Sequence, residues 1–206
     1  MSSYLDDLRY SFLPRYGAIA QIIVINVAVF LVSAVLGVVF WAAMGGGVFT
    51  YWYYDLLGVP SDVLELPLRF WTLGTYMFVH SLNGFGGVLH ILFNMLWLYW
   101  IGRIYRDYIG DQNVWSTYVL GALAGAFLFL LAFSVLPPLR AAPGGPLVGA
   151  SAGVMAVVVA TATLVPNHTI FLMFIGPVRL KWLALIIVLL DIIVLPSGGN
   201  PGGRLA

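Results

Sequence analysis

The sequence has no cysteine, and only 8% of its 206 residues are charged. The first absence excludes disulfides, thiolate catalysis and cysteine-ligated metal sites. The second excludes an ordinary soluble fold, because a soluble domain carries about 25% charged residues and this chain has too little polar surface to face water. Basic runs are missing as well. The formal net charge is +1 and no cluster can track a phosphate backbone, so no nucleic-acid partner is expected. The first 17 residues lack the pattern of a cleaved signal. Asp6, Asp7, Arg9 and Arg15 interrupt them, and no apolar core runs to a small-residue cleavage site. The first hydrophobic helix is therefore expected to serve as an uncleaved insertion signal. His80, His90 and His168 are dispersed without convergent carboxylates, so neither a metal nor another cofactor is expected.

What is present is apolar: 62% of the residues are hydrophobic, and the mean hydropathy is +1.00. About 20 such residues cross a bilayer core, and the pattern predicts an all-α, polytopic membrane protein in a single domain. Residues 1–17 place Leu5, Leu8 and Phe12 at helical spacing among charges, the pattern of a short interfacial segment. Spans are expected over 18–42, 89–105, 114–136, 149–165 and 180–195. Pro137-Pro138 and Pro166 stop the third and fourth. Residues 43–88 form a long outer loop rich in aromatics, among them Tyr51, Trp52, Tyr53, Tyr54, Phe70 and Trp71, which suit the headgroup level. Pro60, Ser61 and Asp62 within it read as a turn or helix start. Residues 167–178 read as a re-entrant or interfacial connection, and 196–206 as a further outer loop. Arg9, Arg15, Arg103, Arg106, Arg179 and Lys181 fall on the N-terminal side, against Arg69, Arg140 and Arg204 on the other. That asymmetry predicts a cytoplasmic N-terminus, and a small, cysteine-free protein so oriented fits a bacterial inner membrane.

Polar residues within spans need a reason, because their burial in lipid is costly. His90 and Asn94 stand four apart and share a helix face. Both donate hydrogen bonds from a neutral state, so near the outer surface they can bind a developing oxyanion. They can equally hydrogen-bond between helices as structural glue. Ser151 is framed by Gly149, Ala150, Ala152 and Gly153 at the expected start of the fourth span. Small neighbours admit a substrate to its hydroxyl, and the helix start offers its own N–H to negative charge. The same run also reads as a small-xxx-small packing face, as do Gly121 and Gly125, which have no polar residue between them. What favours chemistry is the combination. His90 and Ser151 lie within about two helical turns of their span starts, on the same side of the bilayer and at similar depth. A nucleophile with two oxyanion donors suggests acyl transfer, here peptide hydrolysis.

At these residues a resemblance becomes specific. The run HILFNMLWLYWIG (His90–Gly102), TYMFVH (Thr75–His80) before it and GASAG (Gly149–Gly153) after it resemble the rhomboid family of intramembrane serine proteases, in order, separation and host span. The likeness extends over nearly the whole chain from about residue 18. It implies a rhomboid-like helical bundle, with residues 43–88 as a half-embedded first loop and the fifth span as a lateral substrate gate. It implies Ser151 as nucleophile, and His90, Asn94 and the Ser151 N–H as the oxyanion hole. Gly149 and His80 are accessory positions, and transmembrane proteins cleaved near the outer face are the substrates.

Two departures accompany the resemblance. Gly102 and Gly110 match a GxxxExxxG pattern whose acidic position is occupied by Arg106, with Asp107 beside it. The family's general base is a histidine early in a sixth span, after a glycine-rich loop, and the sequence ends within such a loop at Ala206. Five spans of an expected six are therefore read here, with the base expected just beyond residue 206. His168 is no substitute, since it lies roughly 25 Å from Ser151 at about 1.5 Å per residue. Asp191 is an intramembrane acid to which the resemblance gives no role as base. A pseudoprotease that binds membrane clients without cutting them is the alternative. A small transporter is a third reading, against which the polar residues cluster at one side of the bilayer.

Overall fold

The computed structural model describes residues 17–140, 145–172 and 176–194, without the side chains of residues 140 and 190–194. The interfacial segment expected over residues 1–17 (but for Gly17), the loop over 196–206 and the Asp191 side chain lie outside the described residues. The first helix, α1 (Ala18–Met44), is apolar on all sides. Ala18, Ile22 and Asn26 recur every four residues and are buried, whereas Val24, Val35, Val38 and Trp41 are 63–66% exposed. A helix with an apolar outer face is stable where lipid is the solvent. Both carboxylate oxygens of Asp111 accept from the Ala18 N–H at 2.9 Å, satisfying a donor at the helix start from another part of the fold. Gly17 leaves room for that contact: a Cβ there would stand 2.8 Å from Asp111 Oδ1.

Residues 45–83 are folded and largely helical. They contain α2 (Val48–Leu57), a 3-10 segment (Val63–Leu68), α3 (Thr72–Thr75) and a 3-10 turn (Tyr76–Phe78). The Asp62 side chain accepts from Leu64 N and starts the first 3-10 segment. Polar contacts then tie the layer together. Arg69 pairs with Asp55 at 2.8 Å, Trp71 Nε1 donates to the Leu56 carbonyl, and Thr75 Oγ1 donates to that of Leu57.

Two long helices follow, α4 (Gly84–Ile109) and α5 (Gln112–Val135), then a turn, α6 (Pro137–Arg140). α4 begins at Gly84, ahead of the expected start at residue 89. Gly87 sits against the Ser81 carbonyl, where a Cβ would overlap the oxygen. α7 (Ser151–Leu164), strands β1 (Thr169–Leu172) and β2 (Gly176–Arg179), and α8 (Leu180–Val194) complete the described chain. The strands pair antiparallel, Thr169 opposite Arg179 and Leu172 opposite Gly176, so the 167–178 connection is a hairpin. α1, α4 and α5 are long and apolar enough to cross a membrane, while α7 and α8 are apolar but shorter. At 14 residues, α7 rises about 21 Å.

α7 is the centre of the bundle, packed against α4, α5 and α8. Small residues allow that approach. A Cβ on Gly121 would overlap Ala156 Cβ, and one on Gly153 would stand 2.7–2.8 Å from the Tyr118 ring. Gly121→Leu should force α5 away from α7 and cost about 2 kcal/mol of stability. Thermal unfolding in detergent measures it, and an unchanged transition would contradict this packing.

Candidate active site

Ser151 reaches its position through a chain segment clamped on one side. Leu147 and Val59 exchange backbone hydrogen bonds of 2.8 and 3.0 Å, and Gly149 N donates to the Tyr76 carbonyl at 3.0 Å. The 43–88 segment thus holds the strand that leads to the serine. Ala150 then turns into helical geometry, and Ser151 is the first residue of α7, with Val154 N donating to the Ala150 carbonyl. The Ser151 N–H belongs to the first turn, whose donors have no partner within the helix.

Gly149 has φ +129, a conformation that only glycine adopts without strain. A methyl at its Cα would lie 3.7 Å from His90 Nε2, 3.7 Å from Ser151 Oγ and 3.9 Å from Ser151 N. Those three atoms therefore bracket one open face of a glycine. A hydroxyl, a backbone donor and an imidazole nitrogen meet there from two elements far apart in sequence.

The α4 partners differ in setting. His90 is exposed, and Asn94, one turn on, is buried. Asn94 Nδ2 donates to the His90 carbonyl at 3.0 Å, which leaves a second amide N–H for another acceptor. His168 lies beyond the far end of α7 from Ser151, beside the hairpin, where its carbonyl accepts from Leu180 N. Arg106, at the departure from the family pattern, pairs with its neighbour Asp107 at 3.0 Å.

His80 is brought behind His90. It is fully buried, with its ring 6.4 Å from that of His90 and 6.5 Å from Phe30. Its Nδ1 lies 3.2 Å from the Phe78 carbonyl, and Nε2 has no hydrogen-bond partner among the described residues. Burial, with His90 nearby, pushes the His80 imidazole down to about 4 against the opposing pull of the Phe78 carbonyl. The sign follows. Between pH about 6.5 and about 4 the unfolded chain takes up a proton that the folded one refuses. Stability is therefore lost as pH falls through that window, at about 1.4 kcal/mol per pH unit. His80→Phe should remove this part of the acid sensitivity, read as a smaller pH dependence of unfolding between pH 4 and 7.

Sequence reasoning missed the tyrosines that frame the site. Tyr76 supplies the carbonyl that holds Gly149, and its hydroxyl donates to the Ala122 carbonyl in α5. Tyr118 donates from α5 to the Met77 carbonyl at 2.7 Å. Both link α5 to the loop layer; Tyr76 falls within the TYMFVH run with no role of its own read for it, and no local motif marks Tyr118. A family model described as Rhomboid domain matches residues 67–200, well over half of the chain and including His80, His90, Asn94 and Ser151. Comparison with curated proteins finds no match.

Proposed function

Because the chain belongs to the rhomboid family, whose members are in general intramembrane serine proteases, we propose that it is a serine endopeptidase of transmembrane proteins. Ser151 attacks the scissile carbonyl, and the resulting oxyanion is held by the Ser151 N–H, His90 and Asn94. The observation that carries this assignment is the meeting of His90 Nε2, Ser151 Oγ and Ser151 N at one face of Gly149. Gly149 keeps that face open for the substrate. The substrates are single-span proteins with small or helix-breaking residues near the outer face. α7 and α8 serve as the fourth and fifth spans, and the N-terminus lies in the cytoplasm of a bacterial cell.

The proton acceptor is the part of the mechanism that the described residues do not supply. His168 is at the wrong end of α7, His80 is enclosed behind His90, and His90 is used as a donor. The family resemblance gives the base to a histidine of a sixth span, a place that none of these three occupies. The same observation supports a second reading, a pseudoprotease that holds membrane clients without cutting them. The protein, reconstituted in liposomes with a single-span substrate, separates the two. Cleavage within the membrane supports the protease, and stable capture without cleavage supports the pseudoprotease.

A further inference from the structure

We propose that Tyr118 is the positioning residue of the serine turn: it holds both ends of the GASAG run and so sets where the Ser151 hydroxyl and N–H stand. Its effect on turnover rests on the protease reading above. The placement itself does not.

Tyr118 stands near the start of α5 and is fully buried. It acts on the run at two places. Its hydroxyl donates to the Met77 carbonyl at 2.7 Å, and the neighbouring Tyr76 carbonyl accepts from Gly149 N at 3.0 Å. Adjacent carbonyls of one 3-10 turn thus carry the Tyr118 bond and the bond that holds the start of the run. At the other end, the Tyr118 ring lies against Gly153. A Cβ on Gly153 would stand 2.7 Å from ring Cδ2, 2.8 Å from Cε2 and 2.8 Å from the Tyr118 carbonyl oxygen. Gly153 is therefore a glycine because α5 leaves no room for a side chain there.

The phenol is itself held in place. Asn26 Nδ2 on α1 donates to its oxygen at 3.4 Å, so the hydroxyl has a donor behind it and the Met77 acceptor in front. The Phe78 and Trp115 rings stand 6.1 and 6.3 Å from the Tyr118 ring. Tyr76 adds a bond in the opposite sense, its hydroxyl donating to the Ala122 carbonyl one turn further along α5. The 3-10 turn is thus registered on α5 by two side chains, and Tyr118 also packs against α7. Between the two fixed ends lie Gly149, at φ +129, and the entry into α7. Residues 149–153 are too short a segment to absorb a shift at either end without moving Ser151. A fully buried Tyr118 meets no substrate, so its contribution falls on kcat and not on KM.

Tyr118→Phe keeps the ring and removes the bond. In the 15N-labelled protein in lipid, the amide signals of Gly149 and Ser151 should move. A misplacement of about 1 Å costs about 10²-fold, and one lost bond shifts the turn by less, so kcat should fall about tenfold with KM little changed. The rate at which a fluorophosphonate labels Ser151 should fall by the same factor. Replacing Tyr118 with 4-aminophenylalanine, whose amine donates from nearly the same place, should restore all three readouts, a rescue that a residue filling space alone would not show. Unmoved Gly149 and Ser151 signals in folded Tyr118→Phe, an unchanged kcat, or a loss that the amine does not restore would each overturn the proposal. Should Tyr118→Phe fail to fold, 3-fluorotyrosine at the same position, a stronger donor, carries the test: a displaced Gly149 signal supports the proposal and an unmoved one opposes it. If the unaltered protein neither cleaves nor labels, the protease reading fails, and the amide signals still decide the placement.

Discussion

Ser151→Ala is expected to reduce cleavage by the protein to background, a loss of about 10⁴-fold or more. The reason is the position of the hydroxyl. It is the only side-chain oxygen in the GASAG run, and it stands 3.7 Å from the point where a Gly149 methyl would lie, as does His90 Nε2. Removing one oxygen from a half-buried residue between two alanines leaves packing and backbone untouched. Thermal unfolding should therefore stay within about 0.5 kcal/mol of the unaltered protein. Labelling by a fluorophosphonate should vanish with cleavage, because both need the same nucleophile. A variant that unfolds normally yet still cleaves would move the nucleophile elsewhere and overturn the assignment. Normal labelling with no cleavage in the unaltered protein would instead place the fault in the substrate tested.

The next largest effects are expected at His90 and Asn94. Loss of one oxyanion donor costs about 10²–10³ in kcat, so His90→Ala and Asn94→Ala should each slow turnover by that order with KM little altered. The two differ in what else they disturb. His90 is exposed, and its replacement should leave stability nearly unchanged. Asn94 is buried and bonded to the His90 carbonyl, so its loss should also cost about 1 kcal/mol of stability. Because both act on one charge, the double variant should fall short of the product of the single effects. Equal losses of stability and activity at His90 would make it structural glue instead.

The candidate site was legible because its signals are local. The i, i+4 spacing of His90 and Asn94 and the small residues around Ser151 are properties of single helices, and a helix's period is set by its own backbone. The membrane class was legible for a similar reason, since apolar runs without charge have no stable arrangement in water. Element ends were less legible. α4 opens at Gly84 rather than at residue 89, and Gly87 in its first turn leaves room for the Ser81 carbonyl. The 167–178 segment carries no strong strand pattern, and its two strands are set by their pairing with each other.

The sequence by itself determined that this is a membrane protein of helical spans, and it marked Ser151, His90 and Asn94 as the candidate site. It showed His80 as a loop residue of no certain place. Only the tertiary structure decided that His80 lies behind His90, that Asp111 caps α1, and that Tyr76 in the loop layer holds Gly149 beside Ser151. The physical reason is range. These contacts join residues from ten to 93 positions apart, and they exist only once the aromatic loop folds back against the helices, an outcome no local periodicity encodes.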